Sequence, residues 1–329
     1  MNFDYNEEQQ LLADSVRRYL QKEYDFEKRK ASVEKGASDA VWAAFAEMGL
    51  AGLPISTEHG GFGGGAVDLM SVMEAFGEAL VVEPYLPTML GALAVAKGGS
   101  DKQKQDILPA VAQGKLRLAL AAGPRGVIGA PLADYVVLGA QGKLRIYSRK
   151  EFAVRAFRTV DDLAAGDIRL DGKGEALAGG VLDEVLDFGT ALSCAEAVGA
   201  MKFACDTTLE YLKTRKQFGV PIGTFQALQH RMVDMFIAHE QARSMACLAC
   251  SKMDSAENAK ERSRAISAAK IKIADAARHI SQESVQLHGG MGMTEELKVS
   301  HTFRRLTMIG QTWGDAEHHL ERFAASPAA

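Results

Sequence analysis

Residues 211–226 read YLKTRKQFGVPIGTFQ. Lys213, Arg215 and Lys216 close one helical pattern, and Gly219, Pro221 and Gly223 break the chain before the next begins. Before this stretch the helical period runs from about residue 184. After it, Leu228, Met232, Met235, Ala242, Ala246 and Ala249 recur at spacings of three and four, the mark of a long helix packed through small residues. His239 lies on the same face and reads as a hydrogen-bonded core or interface histidine. SRAISAAKIKIADAARHISQESVQ is a further long helix, rich in Ala and striped with Ile. The break at 215–223 therefore sits between helices of a bundle. Cations at a helix C-terminus are favoured by the helix dipole, which explains a solvated basic end without any ligand. The same residues also suit phosphate oxygens, with Arg215 gripping them bidentately and Phe218 covering an aromatic ring.

Upstream, the chain reads as helices and then a small β-rich insert. Asn6 with Gln9 has the form of a capping box, followed by the apolar face Leu12, Val16, Tyr19 and Leu20. DAVWAAFAEMG is a second helix that Gly49 can end. Pro54 and the glycines of LPISTEHGGFGGG exclude regular structure and predict a flexible loop that could border a pocket or serve as a linker. Leu69, Met73, Phe76 and Leu80 return to helical spacing, and Ser100 or Asp101 starts another short helix. Between about 118 and 183, DYVVLGAQGKLRIYS reads as a hairpin around Gln141-Gly142, and DIRLDGKGEALAGG offers one more strand. The expected division is a helical domain over 1–117, a reduced β-rich domain over 118–183 and a helical bundle over 184–329. The fold class is mainly α.

Composition narrows the function. With 38 basic against 42 acidic residues, the net charge is −4, and no basic patch points to nucleic acid. No apolar run reaches membrane-spanning length and the start has no secretory pattern, so a cytoplasmic protein is expected. Cys194, Cys205, Cys247 and Cys250 fall inside helical sequence. The C-x-x-C of the last two has no second ligand pair, so all four read as buried thiols. His301, His318 and His319 show no metal-ligand spacing, and no metal is expected.

Residues 284–294, SVQLHGGMGMT, end a long helix with Gly289, Gly290 and Gly292. The order is G-G-x-G after a helix, not the G-x-G-x-x-G that follows a strand, so a Rossmann site is disfavoured. A tight helix corner accounts for it. So does close backbone approach to a ligand, with Gln286 reading a polar edge. TRKQFG…FQ, the long helix pair and QLHGGMG in this order resemble the C-terminal domain of the flavin-dependent acyl-CoA dehydrogenase family. GLAGLPISTEHGGFGGG resembles that family's first domain, and the likeness covers nearly the whole chain.

The resemblance implies that these stretches hold the ADP portion of FAD across a subunit interface. It assigns Arg215 to the pyrophosphate, Gln217 and Phe218 beside it, and Ile222 and Phe225 to the adenosine end, with Gln286, Gly289 and Gly290 on the other side. It implies α,β-desaturation of an acyl-CoA thioester, with an electron-transferring flavoprotein as acceptor. The catalytic carboxylate of most members falls at Trp313 when FRRLTMIGQTWGDAEHH is laid against their motif. The alternative base position falls at Gly189, and the arginine near the thioester at Thr190. The middle domain is short, and LALAAGPRGVIGAPLADYVVL replaces the family's first flavin-ring motif. These departures resemble the shorter subunit of bacterial heterotetramers that act on steroid side-chain CoA esters, where a second chain supplies most of the active site. Two other readings stand beside this one: a self-sufficient enzyme with Asp315 as a displaced base, and a non-enzymatic helical scaffold. Glu196, two turns beyond the alternative base position, is read as packing or solvent-facing. Arg304 and Arg305 are expected to pair with acids or cap a helix.

Overall fold

The computed structural model describes residues 5–140 and 143–325. Along the chain run the helices α1 (Glu7–Glu23), α2 (Phe26–Lys35), α3 (Asp39–Glu47), α4 (Ala66–Ala79), α5 (Tyr85–Gly98) and α6 (Asp101–Ala112). The strands β1 (Leu118–Ala121), β2 (Val127–Ile128), β3 (Tyr135–Ala140), β4 (Lys143–Ser148), β5 (Phe152–Arg158), β6 (Ala164–Leu170) and β7 (Glu175–Leu177) follow. Then come α7 (Leu182–Thr214), the hairpin β8 (Lys216–Gln217) and β9 (Val220–Pro221), α8 (Gln226–Ser255), α9 (Ala259–His288), α10 (Lys298–Gln311) and α11 (Ala316–Ala324). The mainly helical fold with a small β region is thus as expected. Gln141 and Gly142, the expected hairpin turn, lie outside the described residues, but β3 and β4 pair antiparallel up to Ala140 and Lys143.

Local chemistry explains the helix starts. Asn6 and Gln9 close a reciprocal capping box on α1, at 2.8 and 3.0 Å, and Ser100 and Gln103 do the same on α6. Gly49 takes the left-handed conformation after α3. The glycine-rich loop departs from expectation. It contains two 3₁₀ turns, at Leu50–Gly52 and Thr57–His59. Gly63 and Gly64 donate their N–H groups at 2.7 Å to the carbonyls of Ile55 and Leu53. Those bonds fix the loop rather than leave it flexible, because each ties it back to the turn it follows.

The chain divides into two compact units, and α4 and α7 pass from one to the other. One unit comprises 27–69 and 82–189. It holds a four-stranded sheet in the order β1-β3-β4-β7, with β1 and β3 parallel, and a three-stranded antiparallel sheet in the order β2-β6-β5. Among the described residues of this unit seven strands form where sequence predicted three. β1, β2 and β7 are two to four residues long, too short for period-two patterning, and the seven-residue β5, FAVRAFR, was missed although it is long enough to show one. Val136, Leu138, Tyr147, Phe152 and Ile168 fill the space among them.

The other unit comprises 1–26, 70–81 and 190–329. Its core runs along α7, α8, α9 and α10 through Cys194, Ala197, Met201, Met235, Ala242, Ala246, Ile273, Ala277, Ile280 and Leu306. Small residues let the helices touch backbone to backbone. A Cβ on Gly77 of α4 would lie 1.9 Å from the carbonyl oxygen of Glu196, and one on Gly199 of α7 would lie 1.8 Å from that of Glu74. No helix among the described residues is long and apolar enough to cross a membrane.

Candidate functional site

The two motif stretches meet at one end of the helical unit. Tyr211, in the last turn of α7, stacks on His288, the last residue of α9, with centroids 4.5 Å apart and planes 27° from parallel. One turn earlier Thr208 Oγ1 and Ser284 Oγ share a buried hydrogen bond of 2.9 Å. Arg215 follows four residues beyond Tyr211, and Gly289 directly follows His288.

The chain leaves α7 through the β8–β9 hairpin. Phe218 and Gly219 both have positive φ, +55° and +81°, as a primed two-residue turn requires. Phenylalanine is a costly residue there, and its ring is 90% exposed, with Phe225 edge-on at 6.1 Å. Ile222 N–H donates to the Arg215 carbonyl at 2.8 Å and closes the loop. The Arg215 side chain is exposed, and no group among the described residues holds its guanidinium. Gln217 is exposed and Ile222 half-buried. The 30-residue α8 begins immediately beyond Phe225, which offers no side-chain cap; the N–H groups of Leu228 and Gln229 donate to the Phe225 carbonyl at 3.0 and 3.2 Å. Opposite, Gln286 is exposed, and Gly289 (φ +62°, ψ −147°) takes a backbone conformation open essentially to glycine alone. Nothing lies within 4 Å of where a Cβ on Gly289 or Gly290 would be. Of the eight residues singled out for cofactor binding, seven are exposed and Ile222 is half-buried, and both motif stretches lie beside the Tyr211–His288 contact. Together the stretches offer a free cation, an uncapped helix N-terminus, an aromatic face and bare backbone. That donor set fits a pyrophosphate joined to a planar base.

The candidate base segment has a different character. α10 ends at Gln311, the chain turns through Thr312, Trp313 (φ +62°) and Gly314 (φ +103°), and Asp315 caps α11 by accepting the His318 N–H at Oδ1, 2.9 Å. Lys270 of α9 is fully buried, and its Nζ donates to the carbonyls of Ile309 and, at 2.8 Å, Thr312. Burial pushes its ammonium down to about 8. His319, 1% exposed, sits between Trp313 O (Nε2, 3.1 Å) and Ser267 Oγ (Nδ1, 3.2 Å). A carbonyl can only accept, so Nε2 carries the proton and Nδ1 accepts from Ser267. Burial pushes His319 down to about 4, so it is neutral. The Trp313 indole N–H is buried and has no acceptor among the described residues. Beside this corner a cavity of about 370 Å³ opens among Arg278, Gln282, Phe303, Thr307, Gly310 and Gln311.

Asp315 thus caps a helix and His319 packs within the corner. Gly189 lies on α7 with no side chain, and Thr190, 2% exposed, is a short buried hydroxyl. Glu196 packs rather than facing solvent. It is 3% exposed and accepts from Arg305 at 2.6 Å, while Arg304 forms a two-pronged pair with Glu295 at 3.1 and 3.0 Å. His301 is buried between the Glu295 carbonyl and the edge of Phe26. The cysteines are buried, and burial raises the thiols, Cys194 to about 11 and Cys205 to about 12. They are poor nucleophiles. Among the described residues no cluster could hold a metal ion.

Sequence reading missed Lys270, which lies on the same stripe as Ile266, Ile273 and Ala277. A lysine at a core position of an apolar stripe was the available signal.

Residues 6–115 match the model of the acyl-CoA dehydrogenase N-terminal domain, and residues 179–326 that of the acyl-CoA dehydrogenase C-terminal domain. The chain is 31% identical to acyl-CoA dehydrogenase IpdE2 of Mycobacterium tuberculosis, over 91% of each. It is 30% identical to IpdE2 of Mycolicibacterium smegmatis, over 97% of this chain and 99% of the relative. Among solved structures, a variant of the Tcur3481-Tcur3483 steroid ACAD superposes with a TM-score of 0.89 at 25% identity over 97% of both chains. The ChsE4-ChsE5 complex from Mycobacterium tuberculosis superposes at 0.90, with 22% identity and full coverage of both chains, a likeness of fold.

Proposed function

The chain belongs to the acyl-CoA dehydrogenase family, and on that premise we propose that it is the complementary subunit of a heteromeric, FAD-dependent acyl-CoA dehydrogenase. The reaction is α,β-desaturation of an acyl-CoA thioester. The substrate class is a steroid side-chain CoA ester, in keeping with the steroid ACAD it superposes on. An electron-transferring flavoprotein is the expected acceptor.

One observation carries the reading: the groups suited to the ADP end of FAD are displayed on the surface, whereas the family base position is occupied by Trp313 in a corner held from behind. When bound, FAD would supply the acceptor for the β-hydrogen, which leaves as hydride. A carboxylate within hydrogen-bond reach of the α-carbon must take the α-proton, and neither Trp313 nor Gly189 can do so. Arg215 and the first N–H groups of α8 would hold the pyrophosphate, and Phe218 and Phe225 would flank the adenosine. Gln286 and the bare backbone of Gly289 and Gly290 would close the other side. Such a cradle, open outward, would suit a cofactor shared with another chain. The base is then the partner's.

Asp315 is the competing base. Its Oδ1 is engaged by the His318 N–H as the cap of α11, and its backbone is set by the same corner, which weighs against it. The scaffold reading fails if the purified complex is yellow.

The test is to purify the chain alone and together with a second acyl-CoA dehydrogenase chain from the same organism, then measure bound flavin and desaturation. Stoichiometric flavin and activity only in the mixed assembly are expected. Full FAD occupancy and turnover by the lone chain would sink the reading.

A further inference from the structure

The corner between α10 and α11 contains more hardware than a helix-to-helix turn needs. The last carbonyls of any helix lack intrahelical partners and carry the negative end of its dipole. Most helices leave them to water or a glycine cap. Here α9 reaches across with two side chains from one face, Ser267 and Lys270, three residues apart. Lys270 Nζ takes the carbonyls of Ile309 and Thr312. Ser267 orients His319, which donates to the carbonyl of Trp313. Three carbonyls around the turn are thereby held by groups that are themselves buried.

The cost of this arrangement is instructive. An ammonium with no exposed surface is expensive, and a methionine would fill similar space without that penalty. Trp313 holds a left-handed backbone, φ +62°, which disfavours any non-glycine residue. Such a conformation persists only where its surroundings over-determine it. Lys270 and His319 are the groups that do so.

We propose that Lys270 and His319 are positioning residues that act through Trp313, locking the 312–315 corner so that the indole stands as a fixed wall set by α9. The proposal does not depend on which molecule meets that wall or on which chain supplies a base.

Trp42 and Trp313 are the two tryptophans of the chain, so each can be read alone. In a Trp42→Phe background, Lys270→Met is expected to red-shift Trp313 emission and to raise its acrylamide quenching roughly threefold or more, as local opening does. In a Trp313→Phe background the same substitution is expected to leave Trp42 unchanged. The reciprocal arm reads the lysine: His319→Ala is expected to speed reductive methylation of Lys270, followed by mass spectrometry of the intact fold, about tenfold or more. If Lys270→Met does not fold, the His319→Ala arm decides. Unchanged Trp313 signals in Lys270→Met, or unchanged Lys270 protection in His319→Ala, overturn the proposal. So does a loosening that Trp42 reports equally, since that is global destabilisation.

Discussion

The cradle at 215–225 and 286–290 and the corner at 309–319 lie in the same helical unit and are built in opposite ways. The cradle shows its cation, its aromatic ring and its bare glycines to the outside, and spends few of its own groups on holding itself together. The corner turns its polar groups inward and satisfies them with a buried lysine and a neutral histidine. Exposed unsatisfied donors await a ligand; internally satisfied ones fix a shape. On the function proposed above, the first region would be the cofactor grip, and the second stands where the resemblance to the family places a base.

The largest expected effect tests the inward-built side at its anchor. Glu196 and Arg305 tie α7 to α10, the helix that carries the corner. Glu196→Ala removes a carboxylate that the guanidinium meets in a largely buried site and should cost about 3 kcal/mol of unfolding free energy in urea. Replacing both partners with leucine should recover most of it. A loss below about 1 kcal/mol in the single variant would mean that the pair behaves as a surface salt bridge, and that the corner is less rigidly founded than it looks.

Next comes pH. His319 is pushed down to about 4, first by burial, with Lys270, His318 and Arg322 adding repulsion against the Trp313 carbonyl's opposite pull. Its folded pKa lies below its unfolded value of about 6.5, so the unfolded chain binds the extra proton first. Its contribution to stability is full above about pH 6.5 and is lost as pH falls toward 4, about 2–3 kcal/mol in all. Urea midpoints measured from pH 7 to 4 should show that slope, and His319→Gln should flatten it. An identical slope in the variant would place the titration elsewhere.

The cradle should respond in the reverse manner. Arg215→Ala is expected to weaken FAD retention by the assembled enzyme about 10–100-fold, the loss of a charge-assisted grip. The unfolding midpoint should stay within about 0.5 kcal/mol, because the side chain is exposed. If stability falls and flavin affinity does not, Arg215 is a structural residue and the contrast between the two regions collapses.

Most of the cradle was legible in the sequence, and most of the corner was not. Arg215, Phe218 and the 289–290 glycines stand out because their residue types are unusual for the local structure: cations before a turn, an aromatic beside glycine, paired glycines after a helix. Local patterning reports such features directly. The corner rests on Lys270 meeting Thr312 and Ser267 meeting His319, pairs 42 and 52 residues apart. No periodicity links them, and Lys270 is visible only as an odd residue on an apolar stripe. The helices were readable because 3.6-residue patterning extends over 30 residues in α8 and α9. The two-residue strands β2, β8 and β9 were not, because two residues carry no period. The glycine-rich loop misled for a third reason. Glycines signal both freedom and close approach, and only the carbonyls of Leu53 and Ile55 decide between them.

The smallest expected effect bears on the base. Asparagine caps a helix about as well as aspartate, so Asp315→Asn should keep α11 and leave the fold within a few tenths of a kcal/mol, while Asp315→Ala should lose about 1 kcal/mol. If the base belongs to the partner chain, Asp315→Asn in the mixed assembly should change the desaturation rate less than about twofold. An amide cannot abstract the α-proton, so a fall of about 100-fold or more with unchanged flavin content would make Asp315 the base after all. The corner would then have to be re-read as a device that presents a carboxylate. The two substitutions separate the roles because capping tolerates the amide and proton transfer does not.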